Sequence, residues 1–284
     1  MSSKYDRKTT TFNPDGRLLQ VEYAIEHINQ DATVVGILSR EGKIFGSFLR
    51  QTRLDWCLLS HKNEVLTKFI VCLAGVVLAA EKKETSSLFV PTRESGKLYK
   101  MDDHVLCSVS GVVADANMLI DVGRVHAQRN LYSQGCPIYV EQLVRHLADQ
   151  KHVYTLYGSS RPFGVSLMYA GYDAVQGFQL YSSDPSGNYA AWKAHVTGKN
   201  SVNAVSQLKD DYREDLTLQE ATVMAAKVLG KSMDLAKPDA DKFEIGILTR
   251  GADGAVEQRR VEGAELSKLL TDARVFEDIE AARR

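Results

Sequence analysis

The chain has 284 residues, 44% of them hydrophobic and 25% charged, enough to bury a substantial core as one large domain or two small ones. A formal net charge of −1 gives no global field to draw it onto nucleic acid or an anionic membrane, and its longest apolar run, Phe69 to Ala80, is too short for the roughly 20 residues of a bilayer-spanning helix. Cys57, Cys72, Cys107 and Cys136 show no CxxC spacing and follow no secretory leader, which disfavours a disulfide framework and a zinc site and points to a reducing compartment.

The first element is an amphipathic helix. Beyond the Asn13-Pro14-Asp15-Gly16 turn, Leu18, Val21, Ile25 and Ile28 recur at three and four residues, which predicts a helix over about Arg17 to Asn29 with one apolar stripe in need of a partner surface. Pro14 fixes φ and Gly16 can take a positive φ, so the turn is held rigidly, with Asp15 placed near the positive end of the helix. Short apolar or β-branched runs at Thr33 to Leu38, Val76 to Ala80 and His104 to Ser110 read as strands.

Two helices follow, about Ala114 to Tyr132, with Met118, Val122, Val125 and Ala127 expected inward, and Pro137 to about Tyr154. Strands return at Phe163 to Tyr169 and Phe178 to Ser182, and Asp184-Pro185-Ser186-Gly187 makes a tight reversal before Tyr189 to Trp192. Helices near Ser201 to Tyr212 and Leu218 to Leu229, a strand at Phe243 to Leu248 and a last helix around Ala264 to Thr271 precede a frayed tail, Glu277 to Arg284. Strands, a helix pair, strands and a second helix pair predict an α+β fold: a four-layer αββα sandwich of two antiparallel sheets flanked by helix pairs.

Tyr5-Asp6-Arg7, Thr11-Phe12-Asn13-Pro14-Asp15-Gly16-Arg17-Leu18 and Gln20-Val21-Glu22-Tyr23-Ala24 together closely resemble the amino-terminal signature of proteasome alpha subunits. Arg161-Pro162-Phe163-Gly164-Val165-Ser166 and Ser183-Asp184-Pro185-Ser186-Gly187-Asn188-Tyr189, with Trp192-Lys193 after it, are similar to the alpha type-4 branch, the third position of the eukaryotic alpha ring. The resemblance runs from about Tyr5 to Arg250 and implies the sandwich of the amino-terminal nucleophile hydrolases.

It implies further that Tyr5, Asp6, Arg7, Pro14 and Tyr23 serve gate and inter-subunit contacts. Lys97, in Ser95-Gly96-Lys97-Leu98-Tyr99, would lie in the pocket that receives the carboxy-terminal tails of activators, an ammonium meeting a carboxylate. The implied partners are other alpha subunits in a heteroheptameric ring, beta subunits, regulatory or activator particles and assembly chaperones. The implied setting is ubiquitin-dependent protein degradation in cytoplasm and nucleus, and neither nucleic acid nor membrane is expected as a partner.

Catalytic relatives in that fold use a chain-terminal Thr whose own amine serves as base. The Thr33-Val34-Val35-Gly36 strand matches their first strand in kind, yet 32 residues precede it and Ala32 takes the nucleophile's position. Glu81 and Lys97 fall near the acidic and lysine partners of an active relative, but without a nucleophile the expectation is a non-catalytic subunit with no cofactor. Two rival readings are an active threonine peptidase and a free-standing, monomeric binding module with an aromatic arm at residues 45–59. No metal is assigned, since the histidines lack ligand spacing, with His146 and His152 six apart on different helix faces. Adjacent Asp210 and Asp211 read as a solvated helix face.

One stretch departs from the family's pattern. Arg40-Glu41-Gly42 would ordinarily lead straight to Val76-Val77-Leu78, but about 33 residues intervene, far beyond normal hairpin loops. The segment is read as a functional insertion, an amphipathic binding arm or, preferred here, a translated intron; Gly42-Lys43 can be encoded across GTAAG, and Phe69 to Gly75 by a pyrimidine tract ending in CAG. The expected organisation is therefore a gate-forming tail at 1–12, a single domain at 13–250 with an atypical insertion at 43–75, and a closing strand end, helix and tail at 251–284.

Overall fold

The computed structural model describes residues 8–39, 75–82, 96–158, 160–233, 240–251 and 254–272. Two five-stranded antiparallel sheets form its centre. Sheet A has the order β10-β9-β2-β1-β8, from β1 (Val34–Ser39), β2 (Gly75–Glu81), β8 (Ala194–Thr197), β9 (Phe243–Arg250) and β10 (Val256–Val261). Sheet B has the order β3-β4-β5-β6-β7, from β3 (Leu98–Asp102), β4 (Val105–Gly111), β5 (Val165–Asp173), β6 (Gly177–Ser183) and β7 (Tyr189–Ala191).

Three apolar layers hold four structural layers together. Between the sheets lie Val34, Leu38, Leu78, Leu106, Met168 and Leu180, among others. On the outer face of sheet B, Val109, Leu167 and Tyr169 meet Leu119 and Ile120 of α2 (Val113–Gln134) and Leu143 and Leu147 of α3 (Val140–Leu156). On the outer face of sheet A, Val35, Ile37 and Ile245 meet Leu208 of α4 (Ser201–Asp211), Ala225 and Leu229 of α5 (Leu218–Ser232) and Leu266 of α6 (Gly263–Asp272). This is the four-layer sandwich that the element order requires.

Strand β1, between β2 and the edge strand β8, shows why the sequence folds this way. Every residue of β1 is buried, because alternate side chains enter different cores: Val35 and Ile37 face the helices, and Val34 and Leu38 face sheet B. Gly36 stands between the latter two, and a Cβ there would come within 2.4 Å of the Met168 sulfur. A larger residue would wedge the sheets apart.

Three strands are not evident from periodicity: β3, β8 and β10. All belong to edges or short margins of the sheets, and β10, Val-Glu-Gln-Arg-Arg-Val, is largely polar. An edge that must refuse further pairing carries charge and so loses the apolar signature of a strand. The register on α2 also differs from expectation. Ala116, Leu119, Ile120, Gly123 and Ala127 face inward, whereas Met118 and Val125 are exposed at 56% and 65%. Among the described residues no helix is long and apolar enough to cross a membrane.

Candidate functional site

The candidate residues gather around α1 (Leu19–Ile28) and its two ends. At the amino end, the Asn13–Gly16 reversal is closed by the Gly16 amide donating to Asn13 O at 2.9 Å, and the Arg17 amide donates to Asn13 Oδ1 at 2.8 Å. Gly16 has φ +78°, a conformation that glycine adopts without strain. The helix begins at Leu19 rather than Arg17, and Asp15 accepts from the Asn13 side-chain amide instead of facing the helix terminus. Glu22 supplies the acidic group of the first turn.

Pro14 and Tyr23 both lie on this unit, Pro14 exposed in the turn and Tyr23 43% exposed on the helix. Phe12, beside the turn, is 63% exposed. The chain ahead of the turn is tied to the far side of the fold, where the buried Thr9 hydroxyl donates to Tyr157 O just beyond α3. Tyr5, Asp6 and Arg7 lie outside the described residues, as does the 43–74 part of the inserted segment. The buried stripe of α1, Val21 and Ile28, rests on β4 and β5.

The carboxyl end of α1 leads directly to Lys97. Three residues past Ile28, Asp31 Oδ2 pairs with Lys97 Nζ at 2.8 Å and accepts the Gly111 amide at 2.7 Å. Burial opposes ionisation of Asp31, yet its pKa still lies below the ordinary carboxylate value, because the Lys97 ammonium and two backbone amides favour the anion. Lys97 is fixed through its backbone as well, donating its amide to Glu244 Oε2 at 2.7 Å. Burial pushes the Glu244 pKa up, and Arg260 stands 3.6 Å from its other oxygen. The lysine read from sequence as pocket-lining is thus only 7% exposed and ion-paired.

The nucleophile's position is adjacent. Ala32 is buried and has no reactive group, and the Thr33 nitrogen is a peptide amide that donates to Glu81 Oε2 at 3.4 Å. The Thr33 hydroxyl donates to Lys199 O at 2.8 Å. An amide cannot serve as the base that a chain-terminal amine supplies, so Thr33 in this position lacks that activation.

Two sequence blocks act as local clamps. In the first, Arg161 holds Asp115 in the first turn of α2 through both guanidinium nitrogens, at 2.6 and 2.8 Å, and the Gly164 amide donates to the same carboxylate at 3.0 Å. The guanidinium, ahead of the opposing desolvation, holds the Asp115 carboxyl below its ordinary value. In the second, Asp184 Oδ1 accepts the Ser186 amide at 2.8 Å and the Asn188 amide at 3.2 Å, and Trp192 donates to Ser182 Oγ while stacking on His195.

Sequence reasoning missed Lys151, which is fully buried under α3 and donates to Val165 O, Ser183 O and Ser183 Oγ at 3.1, 3.2 and 2.8 Å. Tyr169 shares the Ser183 hydroxyl at 3.0 Å, and burial lowers the Lys151 pKa to about 7. Its only sequence signal is its position, on the buried face of α3 beside Val144, Leu147 and Ala148. His146 faces across to α2 and stacks on His126 with 4.8 Å between ring centres. No group of three His, Cys, Asp or Glu side chains suited to a metal ion occurs among the described residues. Asp210 and Asp211 are exposed.

Known families match in two places. The N-terminal signature of A-type proteasome subunits matches residues 5–26, and the proteasome subunit profile matches residues 70–248. Strand β1 falls between the two matches, although it pairs with β2 along its whole length. Proteasome subunit alpha type-4-2 of Oryza sativa subsp. japonica is 42% identical over 274 residues, covering 96% of each chain. Proteasome subunit alpha type-4 of Spinacia oleracea is 41% identical over 273 residues, with 96% of both covered, and proteasome subunit alpha type-4-A of Arabidopsis thaliana is 42% identical over 270, with 95% of both covered.

Proposed function

This chain belongs to the proteasome family, within its alpha type, and on that premise we propose that it is a gating and activator-docking member of the outer ring. Alpha subunits are non-catalytic, the catalytic ones being beta, and the chain assembles with other proteasome subunits. In the proposed role it takes the third position of a heteroheptameric alpha ring, with beta subunits below it and activators above. Residues 1–12 help close the axial channel, and assembly chaperones guide its placement. The particle works in ubiquitin-dependent degradation in cytoplasm and nucleus.

One observation supports this reading most directly: the exposed aromatics Phe12 and Tyr23 sit on a rigid turn and helix at the fold's edge. The exposed part of so large a side chain can be covered by a partner surface, and a hydrogen-bonded turn can fix where the leading segment points. Lys97 and the backbone amide of Gly111 supply the donors that a tail carboxylate needs.

Deleting residues 2–10 tests the gate. In an assembled particle the deletion raises basal hydrolysis of short peptides by roughly tenfold, since channel access rather than chemistry then ceases to limit the rate. Unchanged turnover in a fully assembled mutant particle refutes the gating role.

A further inference from the structure

Resting on the reading that Lys97 receives a tail carboxylate, we propose that Asp31 is an internal competitor for that lysine, so that docking at this subunit requires the chain's own carboxylate to be displaced. Asp31 Oδ2 already takes two donors, the Lys97 ammonium at 2.8 Å and the Gly111 amide at 2.7 Å. One ammonium and one backbone amide on a carboxylate oxygen is the arrangement that an incoming chain terminus would seek. The site is therefore built for a carboxylate, and the molecule fills it from within.

The geometry leaves little room for sharing. The side chains of Lys97 and Asp31 are 9% and 13% accessible, so the pair is largely withdrawn from solvent. The Lys97 backbone is anchored on both sides, its amide donating to Glu244 at 2.7 Å and its carbonyl accepting the Val109 amide at 3.0 Å. Gly111 is equally fixed, with a φ of +118° and the Gly164 carbonyl where a Cβ would stand. A second carboxylate beside Asp31 would meet a like charge in a poorly solvated corner, which disfavours both staying ionised. Asp31 in turn is tethered, being three residues past the end of α1 and accepting from backbone amides as well as from the lysine.

The consequence is a subunit whose tail pocket is closed in the resting state. A peptide ending in a free α-carboxylate binds weakly until Asp31 moves, and movement of Asp31 pulls on the end of α1. Docking at Lys97 is thereby linked to the helix that carries Tyr23.

The test uses intact particles containing Asp31→Asn in this subunit. The probe is a synthetic peptide with a photoreactive side chain and a free α-carboxylate, and an amidated copy is the control. Asn keeps an oxygen for the Gly111 amide but no charge for Lys97. Crosslink yield to this subunit, read by mass spectrometry at subsaturating peptide, rises about tenfold for the free-carboxylate peptide, the scale of one charge-assisted hydrogen bond. The amidated peptide is unaffected, and Asp31→Glu behaves as the wild type. Asp31→Ser gives the same reading should the Asn variant fail to enter particles. If the charge-removing variant crosslinks no better than wild type while Lys97→Ala abolishes the crosslink, docking stands and competition by Asp31 is wrong. If Lys97→Ala crosslinks as well as wild type, the docking reading itself fails, and the proposal with it.

Discussion

The two helix layers of the sandwich differ in what they leave uncovered. On sheet B, α2 exposes Met118, Val125, Leu131 and Tyr132, and α3 exposes Val153 and Leu156. On sheet A, among the described residues, Val202 is the single large apolar side chain exposed on α4, α5 and α6. The interiors differ too. The sheet A layer buries Ala221, Ala225, Ala226 and Leu229, and its buried hydroxyls, Thr222 and Ser232, bond within their own helix. The sheet B layer buries Lys151, spans helix to sheet with polar bonds, and needs the Arg161 clamp at its edge. Sheet A's helix layer thus leaves little large apolar surface uncovered among the described residues, whereas sheet B's leaves an exposed apolar stripe.

The largest expected effect lies on the exposed stripe of α2. Replacing Met118 and Val125 together by Glu should lower the fraction of chain in the large particle by at least about tenfold, because charged groups then replace an apolar contact surface. Val202→Glu on α4 should leave that fraction unchanged. Native mass measurement of tagged chains decides, and equal incorporation of both variants would erase the distinction between the layers.

Next comes the buried lysine. Its pKa falls from 10.5 to about 7 on folding, so between those values the unfolded chain holds a proton that the folded chain lacks, and stability rises with pH. Cys107, pushed up to about 12, acts oppositely above its ordinary value of 9.0, which leaves pH 7 to 9 as the clean window. Lys151→Met, which strips the donor from two buried carbonyls, should cost about 1–3 kcal/mol at pH 9 and less at pH 7, flattening the rise in denaturation midpoint. Leu229→Met in the other layer should keep the wild-type slope.

Removing the clamp is milder, since the Arg161 side chain is 66% exposed and partly solvated. Asp115→Ala should cost about 1–2 kcal/mol, with α2's first turn losing exchange protection before any element on sheet A. Because the Asp115 pKa is lowered on folding, its contribution is complete above the ordinary value of 3.8 and is lost as pH falls through the lower folded value. Wild type and Asp115→Ala should therefore converge in strong acid.

Buried, regular elements are the legible ones. β1, β2, β4, β5, β6 and β9 can be read because two-sided burial demands apolar runs, and the helices because a helix laid on a sheet keeps a stripe. The edge strands β3, β8 and β10 cannot, since their sequences answer to solvent and to the avoidance of further pairing. On α2, Met118 and Val125 read as core from periodicity because composition cannot separate a side chain buried in its own fold from one left exposed on the helix. At the site, Pro14, Tyr23 and Lys97 are legible only through the resemblance. The Asp31–Lys97 pair is not, because a contact between residues 66 apart depends on how α1 lies across sheet B.

The smallest expected effect concerns the segment between β1 and β2, and it tests whether sheet A is complete without that segment. Ser39 pairs with Gly75, so the chain leaves and rejoins the hairpin at facing positions. Gly75 tolerates no side chain, since a Cβ there would sit 2.6 Å from the Leu248 carbonyl. Excising residues 43–75 joins Gly42 to Val76, which puts a glycine back opposite Ser39 and leaves Arg40-Glu41 as a two-residue reversal. The gain from a shorter loop, about 0.6 kcal/mol per halving of length, is opposed by the stiffness of so tight a turn, so stability should change by no more than about 1 kcal/mol. Particle incorporation should be unaltered. A translated intron also requires most transcripts to run directly from the Gly42 codon to that of Val76. Peptides such as Leu54 to Lys62 recovered from purified particles, together with failed incorporation of the excised chain, would instead make the segment a working part of the subunit.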